Sequence, residues 1–313
     1  MKRVIVSGGT GLIGVPLVKG LLEKGYEVVV LTRNPTSPSK MPSLLRVHWD
    51  GENPGEWCRL VEGCQAVINL AGENIGAGLW TRTRKERIVA SRTNAGRVLE
   101  RAIEKANHKP EKFIQASAIG YYGNRDDQMV TEKDGPGNGF LADTCRQWEA
   151  SSRGIESMGV CRVVIRMGIV FSKKAGALSR LLLPVRFNLG GPLGCGGQYW
   201  SWISQADVTR ALLFLLEDRE AEGIYNLTAP EPATMNEIGK SISFILHKPY
   251  WLSTPAFVLR RLMGEMSCLV LDSQRVIPER LLQHGFQFAY PVLEPLLMDM
   301  FTQTDISFPE KMF

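Results

Sequence analysis

The chain has no apolar run near the roughly 18 residues that a membrane helix needs. Its longest candidates, Leu212–Leu216 and Cys268–Leu271, are short and flanked by charge, so no membrane association is expected. A small-residue cleavage site is also missing after Lys2 and Arg3; Val4 to Gly14 therefore reads as strand and turn rather than as a signal peptide. Cysteine is sparse. Cys58, Cys64, Cys145, Cys161, Cys195 and Cys268 form no CxxC pair, and His48, His108, His247 and His284 are scattered without ligand spacing. No metal is expected, and the thiols are expected to be reduced in a cytoplasmic protein. Charge of one sign is lacking too: a net +5 over 313 residues is too mild to imply nucleic acid. The one basic run is Arg82, Arg84, Lys85, Arg87 and Arg92, interrupted by Glu86. Such runs are usually a solvated helix face, and a minority face a phosphate-bearing ligand. No internal repeat is present.

What is there suits one large α/β domain with a smaller appendage. Short apolar runs alternate with helical patterns, as in βαβ units on a parallel sheet. Strands are expected at Val4–Val6, Glu27–Leu31, Leu45–Trp49, Ala66–Leu70, Phe113–Ala116 and Val163–Met167, with a loop from Pro35 to Ser43. Helices are expected at Gly14–Lys24, Arg84–Lys105 and Leu141–Met158. After Ser172 come a Gly-rich loop (Gly190–Gly197), Tyr199–Trp202, a helix over Asp207–Glu217 with Asp207 as its N-cap, and a strand at Tyr225–Leu227. Thr234 with Glu237 three residues on has the pattern of a capping box. The fold class expected is α/β: a Rossmann-like doubly wound parallel sheet with a smaller C-terminal α/β lobe. Residues 1–171 form the dinucleotide-binding domain, with later segments returning to it, and residues 172–313 form the substrate lobe. The mobile-looking Gly190–Gly197 loop, with Trp200 and Trp202, is the candidate lid.

The strongest motif is Ser7-Gly8-Gly9-Thr10-Gly11-Leu12-Ile13-Gly14. A bare GxGxxG is weak, but this one follows a buried strand and opens an amphipathic helix. Glycines tolerate the positive φ of a tight turn, a Cβ at Gly11 would hold a pyrophosphate away, and the helix N-terminus favours the anion. Gly14 is read as allowing close helix–sheet packing. At the end of the second strand, an NAD enzyme usually carries an acid for the ribose 2′-hydroxyl. Here Thr32 and Arg33 follow Leu31. Thr32 leaves room and Arg33 offers a planar cation to a 2′-phosphate, which favours NADP(H). Leu70, Ala71 and Gly72 close the fourth strand with residues that let backbone approach a dinucleotide.

Together these segments resemble the short-chain dehydrogenase/reductase superfamily, in its extended or atypical branch. Ser7–Gly14, Asn69-Leu-Ala-Gly-Glu-Asn74, Ser117-Ala-Ile-Gly-Tyr-Tyr-Gly123 and Trp148-Glu149 are similar to an epimerase-like subfamily, described as nucleoside-diphosphate-sugar epimerases and sometimes as cell-division inhibitors. A C-terminal stretch from Trp251 to Met300 resembles a small domain of unknown function found in that subfamily. Extended members use a Ser/Thr after strand five and a Tyr-xxx-Lys on the next helix. By that resemblance the Ser/Thr position falls on Ala118, beside Ser117, the tyrosine position on Leu141 and the lysine position on Cys145. The usual acid–base pair is therefore absent, because neither Leu nor a neutral thiol replaces a lysine-activated phenolate. Ser117, Tyr121 and Tyr122 are the candidates that remain for catalysis. Leu141 is expected to pack on the nicotinamide, Arg87 and Arg92 to face the cofactor cleft, and Arg166 to support the pocket. The resemblance also implies a homodimer through the 84–105 and 141–158 helices. Two functions stand: an NADP(H)-dependent epimerase-like oxidoreductase acting on a small polar carbonyl or hydroxyl substrate, or a non-catalytic NADP(H) sensor.

Overall fold

The computed structural model describes residues 2–35, 41–172 and 176–302. Seven strands, β1 (Arg3–Ser7), β2 (Glu27–Thr32), β3 (Leu44–His48), β4 (Ala66–Asn69), β5 (Lys112–Ala118), β6 (Cys161–Met167) and β7 (Gly223–Leu227), form one sheet in the order 7-6-5-4-1-2-3. Every pairing is parallel. Because side chains alternate along a strand, Val4 and Val6 enter one core while Ile5 enters the other, and Val28 and Val30 divide from Val29 and Leu31 in the same way. Burial on both faces explains why these strands read as continuous apolar runs.

Helices α1 (Gly14–Glu23), α2 (Arg82–Lys105), α3 (Phe140–Ala150), α4 (Ala177–Arg186), α5 (Gln205–Glu217), α6 (Met235–Ile245) and α7 (Ala256–Met263) follow in chain order. Leu17 and Leu21 of α1 join Val208, Leu212 and Leu215 of α5 over one face of the sheet. Ala95, Val98, Leu99 and Ile103 of α2 cover the other. A third core gathers Phe171, Leu178 and Leu182 of the α4 region with Trp200, Trp202, Ile238 and Ile242. That core belongs to the smaller lobe. Thr234 caps α6 with the expected reciprocal bonds to Glu237.

The strand expected at Tyr225–Leu227 is the seventh strand of the main sheet, added by a later segment of the chain. Other sequence expectations change. The helix expected over 141–158 ends at Ala150; Ser151 Oγ donates back to Trp148 O at 2.7 Å, and a 3-10 segment, Arg153–Met158, follows. Asp207 is not the N-cap of α5. Ser204 is, accepting from the Asp207 N–H, while the Asp207 carboxylate accepts from the N–H groups of Ala289 and Tyr290 at 2.7 and 3.0 Å. The expected loop at Pro35–Ser43 lies partly outside the described residues. Among the described residues, no helix is long and apolar enough to cross a membrane.

Candidate functional site

The sheet's C-terminal edge carries the glycine turn. Gly8 has φ +70°, and a Cβ on it would come within 2.7 Å of Leu70 O. One on Gly9 would strike the Val30 side chain at 2.9 Å, and one on Gly14 would meet Gly8 O at 2.2 Å. The absent Cβ of Gly14 thus makes room for the turn itself, rather than for the sheet as the motif suggested. Gly11 differs: its nearest neighbour would be Gly8 O at 3.3 Å, and its φ is not in the left-handed region. Protein packing therefore forbids a Cβ at three of the four positions and is less crowded at the fourth, where one would press on the Gly8 carbonyl. The helix behind it starts with no side-chain cap and no acid in its first turn, which leaves N–H groups for an anion. Gln205 Nε2, at the start of α5, donates to Leu12 O at 2.6 Å and fixes the turn.

At the end of β2, Thr32 Oγ1 accepts from the Asn34 N–H at 3.3 Å. Arg33 is exposed and makes no hydrogen bond or ion pair with a described residue. The basic run behaves otherwise. Arg87 pairs with Glu73 at 3.3 Å, Arg84 with the same carboxylate at 3.1 Å, Arg82 with Glu86 and Lys85 with Glu265. Arg92 donates to Ile88 O and Glu73 O at 3.0 Å and lies 4.9 Å over the Trp148 ring. Arg84, Arg87 and Arg92 thus hold the 72–76 loop against α2, and Arg87 and Arg92, expected to face the cofactor cleft, have these protein partners. Gly72 is small because Arg92 fills the space beside it.

Two polar networks run along the same edge. In-register Ser7, Asn69 and Gln115 form the first, with Ser7 Oγ donating to Asn69 Oδ1 at 2.6 Å and Asn69 Nδ2 to Gln115 Oε1 at 3.1 Å. In the second, Arg166, 1% exposed, makes a two-point pair with Glu149 at 2.9 Å and donates to the Tyr122 hydroxyl at 3.0 Å. Ser117 Oγ donates to Glu149 at 2.7 Å, and Tyr122 Oη donates to Asn226 Oδ1 at 2.8 Å. The Arg166 guanidinium also lies 3.4 Å from the Tyr121 ring centroid. Burial works against the Arg166 charge, but the Glu149 bonds and charge hold its pKa above the ordinary value. Burial pushes the Tyr122 phenol up to about 12, against the pull of Arg166. Ser117 and Tyr122 are fully buried and bonded within this network, and Tyr121 stacks on Arg166; none of the three lines the cavity next to it. We therefore give them no proton-transfer role. Their residue types suit catalysis, but their hydroxyls and rings serve to hold one buried arginine.

That cavity has a volume of about 830 Å³. Its inner end is formed by Leu12 of the glycine turn, Ala118-Ile119-Gly120 after β5, and Leu141 and Cys145 on α3. Cys145 Sγ donates to Ala118 O at 3.6 Å, and burial, then the Glu149 charge, push its pKa up to about 11. The outer walls come from α4, the Gly190–Leu193 segment, α6 and the stretch from Tyr250 to Gln274. The glycine-rich loop is zipped to that stretch: Trp251 and Leu252 donate to Gly190 O, Thr254 to Pro192 O, and Gly194 to Thr254 O. A Cβ on Gly191 would sit 2.2 Å from Leu252 O. Trp202 stacks on Phe171 in the core and Trp200 is a buried wall residue. The expected lid is thus a fixed wall. Sequence reasoning missed Arg180, Tyr199, Asp272 and Gln274, which line the cavity; they carry no motif and are brought together only by the small lobe.

Comparison with known proteins agrees with this geometry. The model of the NAD dependent epimerase/dehydratase family matches residues 4–228, and that of a domain of unknown function, DUF1731, matches residues 254–300. The chain is similar to epimerase family protein YfhF of Bacillus subtilis, with 37% identity over 293 residues, 93% of this chain and 95% of that protein. Among solved structures, human epimerase family protein SDR39U1 (isoform 2), crystallised with NADPH, superposes with a TM-score of 0.87 at 31% identity. That match covers 96% of this chain and 99% of the human one. UDP-glucose 4-epimerase of Thermus thermophilus, in complex with NAD, shares the fold alone: TM-score 0.74 at 21% identity, covering 97% of this chain and all (100%) of that one.

Proposed function

The chain belongs to the NAD dependent epimerase/dehydratase family, and on that premise we propose that it binds NADP(H) and uses it to oxidise or reduce a carbonyl or hydroxyl compound held in the cavity. The observation that carries the reading is the glycine turn at the C-terminal edge of the sheet, which opens into a helix with no side-chain cap and no acid in its first turn; a pyrophosphate laid on that N-terminus fits it. Arg33, unpaired and beyond the end of β2, supports the 2′-phosphate form, and the human relative was crystallised with NADPH. When bound, the reduced dinucleotide supplies a hydride to a carbonyl carbon. Ala118 and Leu141 shape the inner end of the cavity to take a flat ring and exclude water from it. Of the cavity's two tyrosines, Tyr250 donates to Asn236 Oδ1 at 3.0 Å, and burial pushes its phenol up to about 12. Tyr199 has a hydroxyl without a hydrogen bond to any described residue, and we assign it the proton at the substrate oxygen.

The test is a titration with NADPH followed by a carbonyl panel. Gly11→Val is expected to lose NADPH binding while the chain still melts cooperatively; unchanged affinity would sink the proposed site. One observation favours a second reading, that of a cofactor sensor: Leu141 and the neutral Cys145 stand where an activating pair is needed. Steady NADPH consumption that falls in Tyr199→Phe decides for the enzyme. Tight binding without consumption decides for the sensor.

A further inference from the structure

We infer that the cavity is built for a largely apolar carbonyl or hydroxyl compound carrying one anionic group, and not for a nucleoside-diphosphate sugar. This rests on the reading of the glycine turn and Leu141 as an NADP(H) cleft and names the class of molecule that the same site takes. The first ground is the wall. Beyond the inner end, the lining is supplied mainly by apolar side chains of α4, α6 and the C-terminal stretch, such as Leu181, Val185, Met235, Ile242 and Leu269. A chamber of this size and lining buries most of a drug-sized apolar ligand.

The second ground is what the polar lining is already doing. Tyr250 donates to Asn236, Ser201 Oγ to Gln274 O, Gln274 Nε2 to Gly123 O, and Asn74 Oδ1 accepts from the Gly76 N–H. A hexose brings several hydroxyls, each costly to bury without a partner; here few partners remain. Charge is the third ground. Among the described lining residues only Arg180 and Asp272 carry charge, one of each sign, a poor receptor for the two negative charges of a diphosphate. Arg180 is exposed, has no hydrogen bond or ion pair with a described residue, and lies over Gly76, where a Cβ would come within 3.1 Å of its Nη1. It is a single cation at the mouth, suited to one carboxylate. Finally, Leu189 (49% exposed) and Leu252 (38% exposed) both line the cavity and reach solvent, so the apolar surface is continuous from outside to inside.

Calorimetric titration of the full chain with hexanoate, octanoate and decanoate, and with decanol and UDP-glucose, tests this. Affinity is expected to rise about fourfold for each added methylene, with UDP-glucose failing to compete. Arg180→Ala should weaken decanoate about tenfold and leave decanol unchanged, and Leu252→Asp should weaken both. A flat chain-length series, or UDP-glucose binding more tightly than decanoate, overturns the inference. NADPH is titrated in parallel. Loss of NADPH binding with the chain-length series intact removes the cofactor reading alone, and NADPH binding with a flat series removes this inference alone.

Discussion

The polar side chains along the C-terminal edge of the sheet are bonded to one another, whereas two in the chamber behind it are not bonded to any described residue. Ser117, Arg166, Tyr122 and Asn226, all buried, and the partly exposed Glu149 form a linked set of partners. Arg180 and the Tyr199 hydroxyl, a few residues of chain away from tightly packed cores, have no hydrogen bond among the described residues. The difference separates scaffold from site. Groups that satisfy each other inside protein hold the fold, and groups left facing a cavity are available to a ligand. Hydroxyls that look catalytic in the sequence fall on the scaffold side.

The largest effect should come from breaking the scaffold. Arg166→Leu leaves the Glu149 carboxylate without its partner and should destabilise the protein by about 3–5 kcal/mol, read as a fall in denaturant midpoint. Arg180→Ala should stay within about 0.5 kcal/mol of the parent. Equal losses in the two would erase the distinction. The same contrast is compressed into the glycine turn. Gly14→Ala drives a methyl to 2.2 Å from the Gly8 carbonyl and should cost roughly 1–3 kcal/mol, while Gly11→Ala, whose methyl meets the same carbonyl at 3.3 Å, should cost less and weaken NADPH. Thermal melts with and without NADPH separate them.

How far the sequence foretold this follows from distance along the chain. The turn was legible because its determinants sit within eight residues of one another. Cofactor preference rested on Arg33 for the same reason, just past the end of one strand. The Arg166 network was not legible, because parallel register, Ser117 beside Arg166 beside Asn226, brings together residues up to about a hundred positions apart. The basic run on α2 misled for a related reason: its partners, Glu73 and Glu265, come from other elements. Trp200 and Trp202 next to glycines carry the same local signal whether they form a lid or a wall, and only the bonds from Gly190 and Pro192 to the 251–254 stretch decide it.

Two smaller effects sharpen the comparison. Arg33→Ala should reduce the NADPH-over-NADH preference about tenfold, roughly 1.4 kcal/mol, with no change in melting temperature; an unchanged ratio would remove Arg33 from the site. Glu132 leaves one buried carboxylate oxygen of the scaffold unsatisfied. Its Oε1 accepts from the Asn226 N–H at 2.9 Å, but its buried Oε2 has no partner, and burial raises its pKa. A raised folded-state pKa gives stability that is present while the acid is protonated and is lost as pH rises through that pKa. Stability should therefore fall on going from the ordinary carboxylate range toward neutrality, and Glu132→Gln should flatten that slope and gain up to about 1 kcal/mol at neutral pH. Melts across pH 4 to about 7 check it.

The seventh strand has a consequence for how the molecule is made. Residues 223–227 reach the sheet only after the chain has laid down α4 and Trp200 of the other lobe and then α5, which packs beside α1 on the sheet. Until they emerge from the ribosome, the Tyr122 hydroxyl lacks Asn226 and β6 is an open edge. Asn226 in turn donates to Ile277 O, some fifty residues later. The nucleotide-binding sheet and the chamber are therefore one interleaved product of synthesis, and a fragment released at residue 171 would carry the complete glycine motif on a sheet that cannot close.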